Sequence, residues 1–411
     1  MTDKAQMVVL GRAFDGFERS FAAQLASVPE VSARHELVEI SELEHRVIGG
    51  GSAATSGEYD LLLLITDWLP ALIEQGALVP LDESFARRAP EGWPDAWTPA
   101  LRELQQGLDG RSYGVAYHDG PLMCLYRTDL YEDADERAGF ARRFGYPLLP
   151  PTTWTQMRDQ AVWFTRPGEG LWGTVLAGYP DEHNNVYDFL TQLWSRGGDL
   201  VVDGRSGLDS QQARDAIVFI DDLWHAARVV DPAAAGWDSV ASGVHFANGE
   251  AAMMVNWCGF ASVSADPTSP THGKVGCAPV PGHDGPGGTA VTMNAYWVLA
   301  VPAGARDPER SIELLRRITT HDMDVVTAVS GGSATRRDSW ADPQVQALAP
   351  YYDHLESAHR GSRSVPVDPR WPAMAGILNE MMRAVVEDGA SLKALSAAHQ
   401  QLDVLLTGDD R

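Results

Sequence analysis

Residues 109–131, DGRSYGVAYHDGPLMCLYRTDLY, bring the chain's most suggestive polar groups together. His118-Asp119-Gly120-Pro121 interrupts two apolar runs, 113–117 and 122–126, each of which suits a short strand. The break reads either as an exposed loop or as a crossing between two domains, with Tyr117, His118 and Asp119 facing the gap. The chemistry on offer is hydrogen bonding and aromatic contact. No motif for bond-making accompanies it: the chain has no GxSxG elbow, HExxH helix, dinucleotide fingerprint or Walker loop. Gly49-Gly50-Gly51 lacks a following Lys-Ser/Thr and reads as a flexible turn. Carboxylates are abundant, yet none is marked as half of a glycosidase pair. The 12 histidines are scattered, and His225 reads as a surface or packing residue. Asp221-Asp222 and Asp409-Asp410 read as solvated charges. Cys124, Cys258 and Cys277 form no CxxC pair and read as small buried residues, with a Cys258–Cys277 disulfide left open.

The aromatics carry more information. Of 13 tryptophans, Trp68, Trp257, Trp297 and Trp371 fall where a strand ends or a turn begins. An indole offers a flat apolar face and one polar edge. A sugar presents C–H faces to stack and hydroxyls to bond, and Asp, Asn or Arg beside such rings would read those hydroxyls. Any one of these residues taken singly fits a core role; four together near loops point to a site.

The elements that must position these groups alternate at the N-terminal end. Residues 7–10 suit a strand, and Phe17, Phe21, Leu25 and Val28 follow at helical spacing. Asp15 with Glu18 fits a capping box, so from the residues Asp15 reads first as a cap. Residues 36–40 suit a second strand and 42–48 a helix. Residues 59–65 are apolar throughout but for Asp60, as in a parallel strand buried on both faces. This order makes a doubly wound α/β domain, whose ligands bind beyond the carboxyl ends of the strands. That rule puts Phe14-Asp15 and Asp67-Trp68 on one rim. The remainder is mostly helical: patterns run over 154–164, 185–194, 210–227, 244–254, 308–319, 371–387 and 391–406, with strands at 275–281 and 289–301.

With 411 residues, 44% of them hydrophobic, the chain has material for two or three domains. Its net charge of −24 disfavours nucleic acid. No apolar run approaches the roughly 20 residues of a membrane helix. MTDKAQMVVL lacks the features of a signal peptide, which suits either a cytoplasmic protein or one whose leader lies upstream.

Five stretches in order resemble the sugar-binding group of extracellular solute-binding proteins of ABC importers, the group that includes maltose-binding protein. EYDLLLLITDWLPALIEQGALVPLD resembles the family's strand, polar-aromatic rim, helix and Pro-Leu-Asp. Residues 109–131 resemble its DGK-YG-PY…LYYNKDLF segment, and 151–165 its P-TW-E…A-KLT segment. Residues 246–253 are similar to FA-GKAAM, and 275–281 with 289–301 to the GVAPLP and GG…LAI pair. The similarity runs over nearly the whole length.

The resemblance implies a two-lobed α/β fold, periplasmic-binding-protein-like, with doubly wound sheets in each lobe and a hinge between them. The expected N-terminal lobe is 1–117 plus 279–320. The C-terminal lobe is 121–278 plus 321–411, with crossings near 117–121, 275–280 and 318–324. The implied solute-binding residues are Phe14, Asp15, Asp67, Trp68, Tyr117, Asp119, Tyr187, Asn256, Trp257, Asn294, Tyr296, Arg363 and Trp371. Ala295-Tyr296 stand where the family has Gly-Gly, so Tyr296 would fill space that other members leave to ligand and would favour a small or differently shaped solute. By alternation Tyr296 and Trp297 face opposite ways, and either could be the one toward the solute. The implied function is an extracytoplasmic carbohydrate receptor, without catalytic residues, cofactor or metal. It would act as a monomer, anchored as a lipoprotein or free in a periplasm, delivering sugar to the membrane subunits of an importer. Two other readings stand beside it: a glycoside-active enzyme on the same frame, or a receptor for a phosphate ester or polyamine. A cytoplasmic or scaffolding protein that has lost transport is a third.

Overall fold

The computed structural model describes residues 6–408, so Asp409-Asp410 lie outside the described residues. Thirteen strands are present among them. The first six are β1 (Met7–Arg12), β2 (Ala33–Val38), β3 (Leu61–Ile65), β4 (Gly114–His118), β5 (Leu122–Arg127) and β6 (Trp172–Val175). Then come β7 (Val201–Val202), β8 (Arg205–Ser206), β9 (Ala251–Trp257), β10 (Val275–Ala278), β11 (Thr292–Met293), β12 (Trp297–Ala300) and β13 (Ser362–Arg363). The helices needed below are α1 (Asp15–Ser27), α2 (Asn184–Ser195), α3 (Ser239–Ala247), α4 (His321–Val329), α5 (Leu355–Arg360) and α6 (Trp371–Asp388).

The chain divides into two compact units. Unit 1 takes the chain through Pro121, Asn294–Arg360 and Ser364–Pro372; unit 2 takes Leu122–Met293, Gly361–Arg363 and the chain from Ala373. This differs from the expected division in three places, one of them residues 364–372, which fall in unit 1. Residues 321–360 belong to unit 1, because α4 packs on α1: the Gln24 amide donates to the Met323 carbonyl and to Thr327 Oγ1 at 2.8 and 2.9 Å. Residues 279–293 belong to unit 2, where Gly282 exchanges backbone hydrogen bonds with Thr152 and Trp154. The chain therefore passes between units after Pro121 and Met293, at both ends of 361–363, and after Pro372, in place of crossings at 275–280 and 318–324.

Unit 1 is built on a mixed five-stranded sheet, β2-β1-β3-β12-β4. β1, β2 and β3 are parallel, and β12 runs antiparallel to both β3 and β4. The apolar run of β3 is buried along its whole length, as a central strand covered on both faces requires. Unit 2 holds a four-stranded sheet, β10-β5-β9-β6, in which only β6 and β9 are parallel. The helical pattern expected through 254 ends earlier. α3 stops at Ala247, and Ala251–Trp257 is the central strand β9, buried up to Asn256. A short apolar run satisfies either period, and here sheet pairing on both sides decides for strand. The cap of α1 is also displaced by one residue. Phe14 is the N-cap, with no side-chain cap bond, and Asp15 is the exposed first helical residue. None of the three cysteines is in a disulfide, so no Cys258–Cys277 bridge forms. No helix among the described residues is long and apolar enough to cross a membrane.

Candidate functional site

In unit 1 the strand directions collect the relevant side chains at one sheet edge. β1 and β3 finish there, at Arg12 and Ile65, and β12 starts there, since Trp297 pairs with both Ile65 and His118. This is the carboxyl edge at which open α/β sheets place ligands. Phe14 follows β1 half-buried, its ring edge-on to Phe17 at 5.3 Å and to His118 at 6.3 Å. Arg12 lies 5.9 Å from the centre of the Trp297 ring, and Trp68 meets Trp297 edge to face at 6.2 Å. The turn after β3 presents Asp67, whose Oδ2 accepts the indole N–H of Trp371 at 3.1 Å. Phe14, Asp67, Trp68 and Trp371 are therefore brought to one edge, although Trp68 and Trp371 are buried and Asp15 stands exposed beside them. Burial, helped by the nearby Arg12 charge, pushes the His118 imidazole down to about 3 and keeps it neutral.

Four expected contacts in unit 1 are structural instead. Tyr117 is 1% exposed and stacks on Phe21 at 4.7 Å. Its hydroxyl donates to Gln24 Oε1 at 2.8 Å and shares a 2.9 Å bond with Ser20 Oγ. β4 is bulged at Tyr117, since Trp297 pairs with His118 and Val298 with Ala116, so both rings meet α1: Tyr117 lies deep against Phe21, and His118 lies against Phe17 and Phe14 at the strand end. Asp119 is fully buried rather than open to a solute. Its Oδ2 lies 2.8 Å from Nε2 of buried His359 at the end of α5, and its Oδ1 accepts the Gly120 N–H. Asn294 donates its amide to the Ala100 carbonyl at 2.9 Å. The Tyr296 hydroxyl donates to the Leu101 carbonyl from a fully buried position, and burial raises its pKa. Tyr296 thus fills the core of unit 1, and of the two neighbours Trp297 is the one at the edge.

In unit 2 the matching edge lies where β9 ends, beyond the carboxyl end of β6. Trp257 is half-buried there, edge-on to Tyr187 of α2 at 5.7 Å. Its indole N–H donates to Asn184 Oδ1 at 3.2 Å. Asn256, one residue back, faces the other way. Its amide donates to the Ser239 carbonyl and Ser242 Oγ of α3, and its Oδ1 accepts the Trp257 N–H, so it is a core residue. Arg363 is also committed elsewhere: it pairs with Asp199 at 2.7 Å and lies 4.9 Å from the Trp194 ring centre.

The residues that sequence reasoning missed lie in the link from β6 to α2. Glu182 has φ 64°, a left-handed conformation that costs a non-glycine residue about 1–2 kcal/mol. Its carboxyl is half-buried, and burial raises its pKa, with Asp181 and Glu380 adding to the effect against His183. Asp188, one turn into α2, is pushed up to about 8 by burial and by Asp181. The dense polar run Asp181-Glu182-His183-Asn184-Asn185 between a strand and a helix was the signal available. Among the described residues no group of three or more His, Cys, Asp or Glu is placed to hold a metal ion.

Each unit, taken by itself, carries aromatic rings beside hydrogen-bonding groups at the edge where its strands end. Residues 45–323, more than half of the chain, match the family described as bacterial extracellular solute-binding protein. The chain belongs to that family. This solute-binding protein is 26% identical over 309 residues to a "Probable ABC transporter-binding protein" of Deinococcus radiodurans, covering 74% of this chain and 68% of the relative. Among solved structures, maltose-bound MalE3 of T. maritima superposes with a TM-score of 0.83 at 23% identity, covering 97% of this chain and 99% of that one. A solute-binding protein of Agrobacterium radiobacter K84 in complex with ribitol gives a TM-score of 0.84 at 21% identity, covering 98% and 99%. These similarities agree with a two-lobed solute-binding fold serving ABC transporters, with mixed rather than purely parallel sheets.

Proposed function

We propose that this protein is a receptor for a neutral sugar or polyol, which it binds without turnover outside the cytoplasm and passes to the membrane subunits of an ABC importer. The observation that carries this reading is the Trp257 indole, held at the sheet edge of unit 2 by Tyr187 and by Asn184, which follows the left-handed Glu182 by two residues in the β6–α2 link. A fixed aromatic face with carboxylate and amide groups on the adjoining segment suits a ligand of C–H faces and hydroxyls. On unit 1, Phe14, Trp297 and neutral His118 offer the same combination. The hinge closure expected of this family belongs to the same proposal. The maltose and ribitol bound by the two structural neighbours define the solute range to test first. A thermal-shift screen of sugars, polyols, amino acids, polyamines and phosphate esters is the test. Stabilisation by a sugar or polyol supports the proposal, and stabilisation only by one of the other classes refutes it.

A further inference from the structure

Asn379 lies on α6, nearly two hundred residues from the β6–α2 link in sequence, and is buried. Its Oδ1 accepts two hydrogen bonds from that link: the Glu182 backbone N–H at 3.2 Å and the Asn185 side-chain amide at 2.9 Å. Its own amide donates to the Pro180 carbonyl at 3.4 Å. The link is pinned from inside as well. Asp181 Oδ1 accepts the His183 N–H at 3.0 Å, and Asn185 Oδ1 accepts the Val186 N–H at 2.7 Å. One buried side chain therefore touches the link at residues 180, 182 and 185, on both sides of the left-handed Glu182.

A left-handed glutamate does not persist by itself, because the extended and right-handed conformations are open to it. Strain of this kind survives where the surroundings over-determine the backbone. Asn379 supplies that determination. Its carbonyl oxygen has two lone pairs, and both are used on the link. One turn earlier on the same helix, a Cβ on Gly376 would meet Glu182 Oε1 at 3.7 Å, an ordinary contact, so the carboxylate lies against this turn of α6. Two residues on from Glu182, Asn184 holds the Trp257 indole.

We propose that Asn379 is a positioning residue for solute binding, fixing residues 180–185 in the conformation that presents the Glu182 carboxylate and orients Trp257 through Asn184. The proposal rests on the reading of this edge as part of a solute site. It differs from a plain packing role in what it demands of the side chain. A leucine of similar size fills the volume but leaves the Glu182 N–H and the Asn185 amide unserved. An aspartate keeps an acceptor for both.

The test compares wild type, Asn379→Leu and Asn379→Asp by titration calorimetry with maltose and ribitol and by hydrogen exchange of the solute-free proteins. The expected result is an affinity about tenfold weaker in Asn379→Leu, the scale of one lost hydrogen bond's worth of preorganisation, with Asn379→Asp within about threefold of wild type. Exchange across 182–186 accelerates in Asn379→Leu and not in Asn379→Asp. Affinity and exchange that are unchanged in Asn379→Leu overturn the proposal, as does an equal loss in both variants. If wild type binds neither solute, the proposed solute class loses its first two candidates. The exchange data then still decide whether Asn379 holds the link: acceleration confined to the leucine variant supports it, and no acceleration overturns it.

Discussion

Replacing Trp257 with alanine separates a binding face from a packing group. The indole is half-buried, fixed by the 3.2 Å bond to Asn184 and edge-on to Tyr187. A tryptophan buries 150–250 Å² in full, so one ring face laid against a solute removes roughly 70 Å² from water. At about 25 cal/mol per Å² that contact contributes about 1.8 kcal/mol, or roughly a 20-fold change in affinity. Trp257→Ala should therefore weaken solute binding by about 10- to 30-fold. Trp257→Phe, which keeps a smaller ring but loses the N–H to Asn184, should fall between alanine and wild type. Titration calorimetry on protein whose far-ultraviolet circular dichroism matches wild type reads the effect. Affinity within about twofold of wild type in folded Trp257→Ala would refute the reasoning and make the indole part of the packing of unit 2.

Substitutions at three other positions give further tests. Tyr117→Phe removes a hydroxyl that serves Gln24 and Ser20 inside unit 1. Urea unfolding should show a loss of about 1–3 kcal/mol with solute affinity unchanged, whereas lost affinity at full stability would return Tyr117 to the site. At the left-handed Glu182, glycine should be more stable than alanine by about 1 kcal/mol while both bind solute weakly; equal stability would contradict the strain. Asp188, pushed up to about 8, keeps its proton in the fold at pH values where the unfolded chain has released it. Its contribution to stability is therefore largest below the unfolded value near 4 and is lost as pH rises toward 8. Asp188→Asn should gain on wild type in urea melts as pH is raised from 5 to 8, and parallel stability curves would contradict this.

The architecture was legible where the local pattern had one solution. The five-residue apolar run that became β3, too short for a helix of its own and bounded by turn residues, suits a strand covered on both faces, and the amphipathic spacing of Phe17, Phe21 and Leu25 suits a helix. Sidedness was not legible. On β4 a bulge at Tyr117 interrupts the alternation and lets both Tyr117 and His118 meet α1, and on β9 alternation sends one of Asn256 and Trp257 inward. Nothing local says which, because the period is the same in both registers. The stretch AAMMVNW satisfied a helix or a strand until sheet partners existed on both sides. Asp119 is a polar residue beside a chain passage, a pattern that suggested solute contact, and only the fold supplies the buried His359 that occupies it. Asn379 carries no signature at all, since its partners are about two hundred residues distant.

Titration calorimetry of the purified protein against maltose, ribitol and further neutral sugars and polyols, with amino acids, polyamines and phosphate esters as comparators, tests the central claim most directly. The expected result is one saturable binding event confined to a sugar or polyol and weakened by Trp257→Ala. A response from a charged solute alone, with silence across the neutral sugars and polyols, would contradict it.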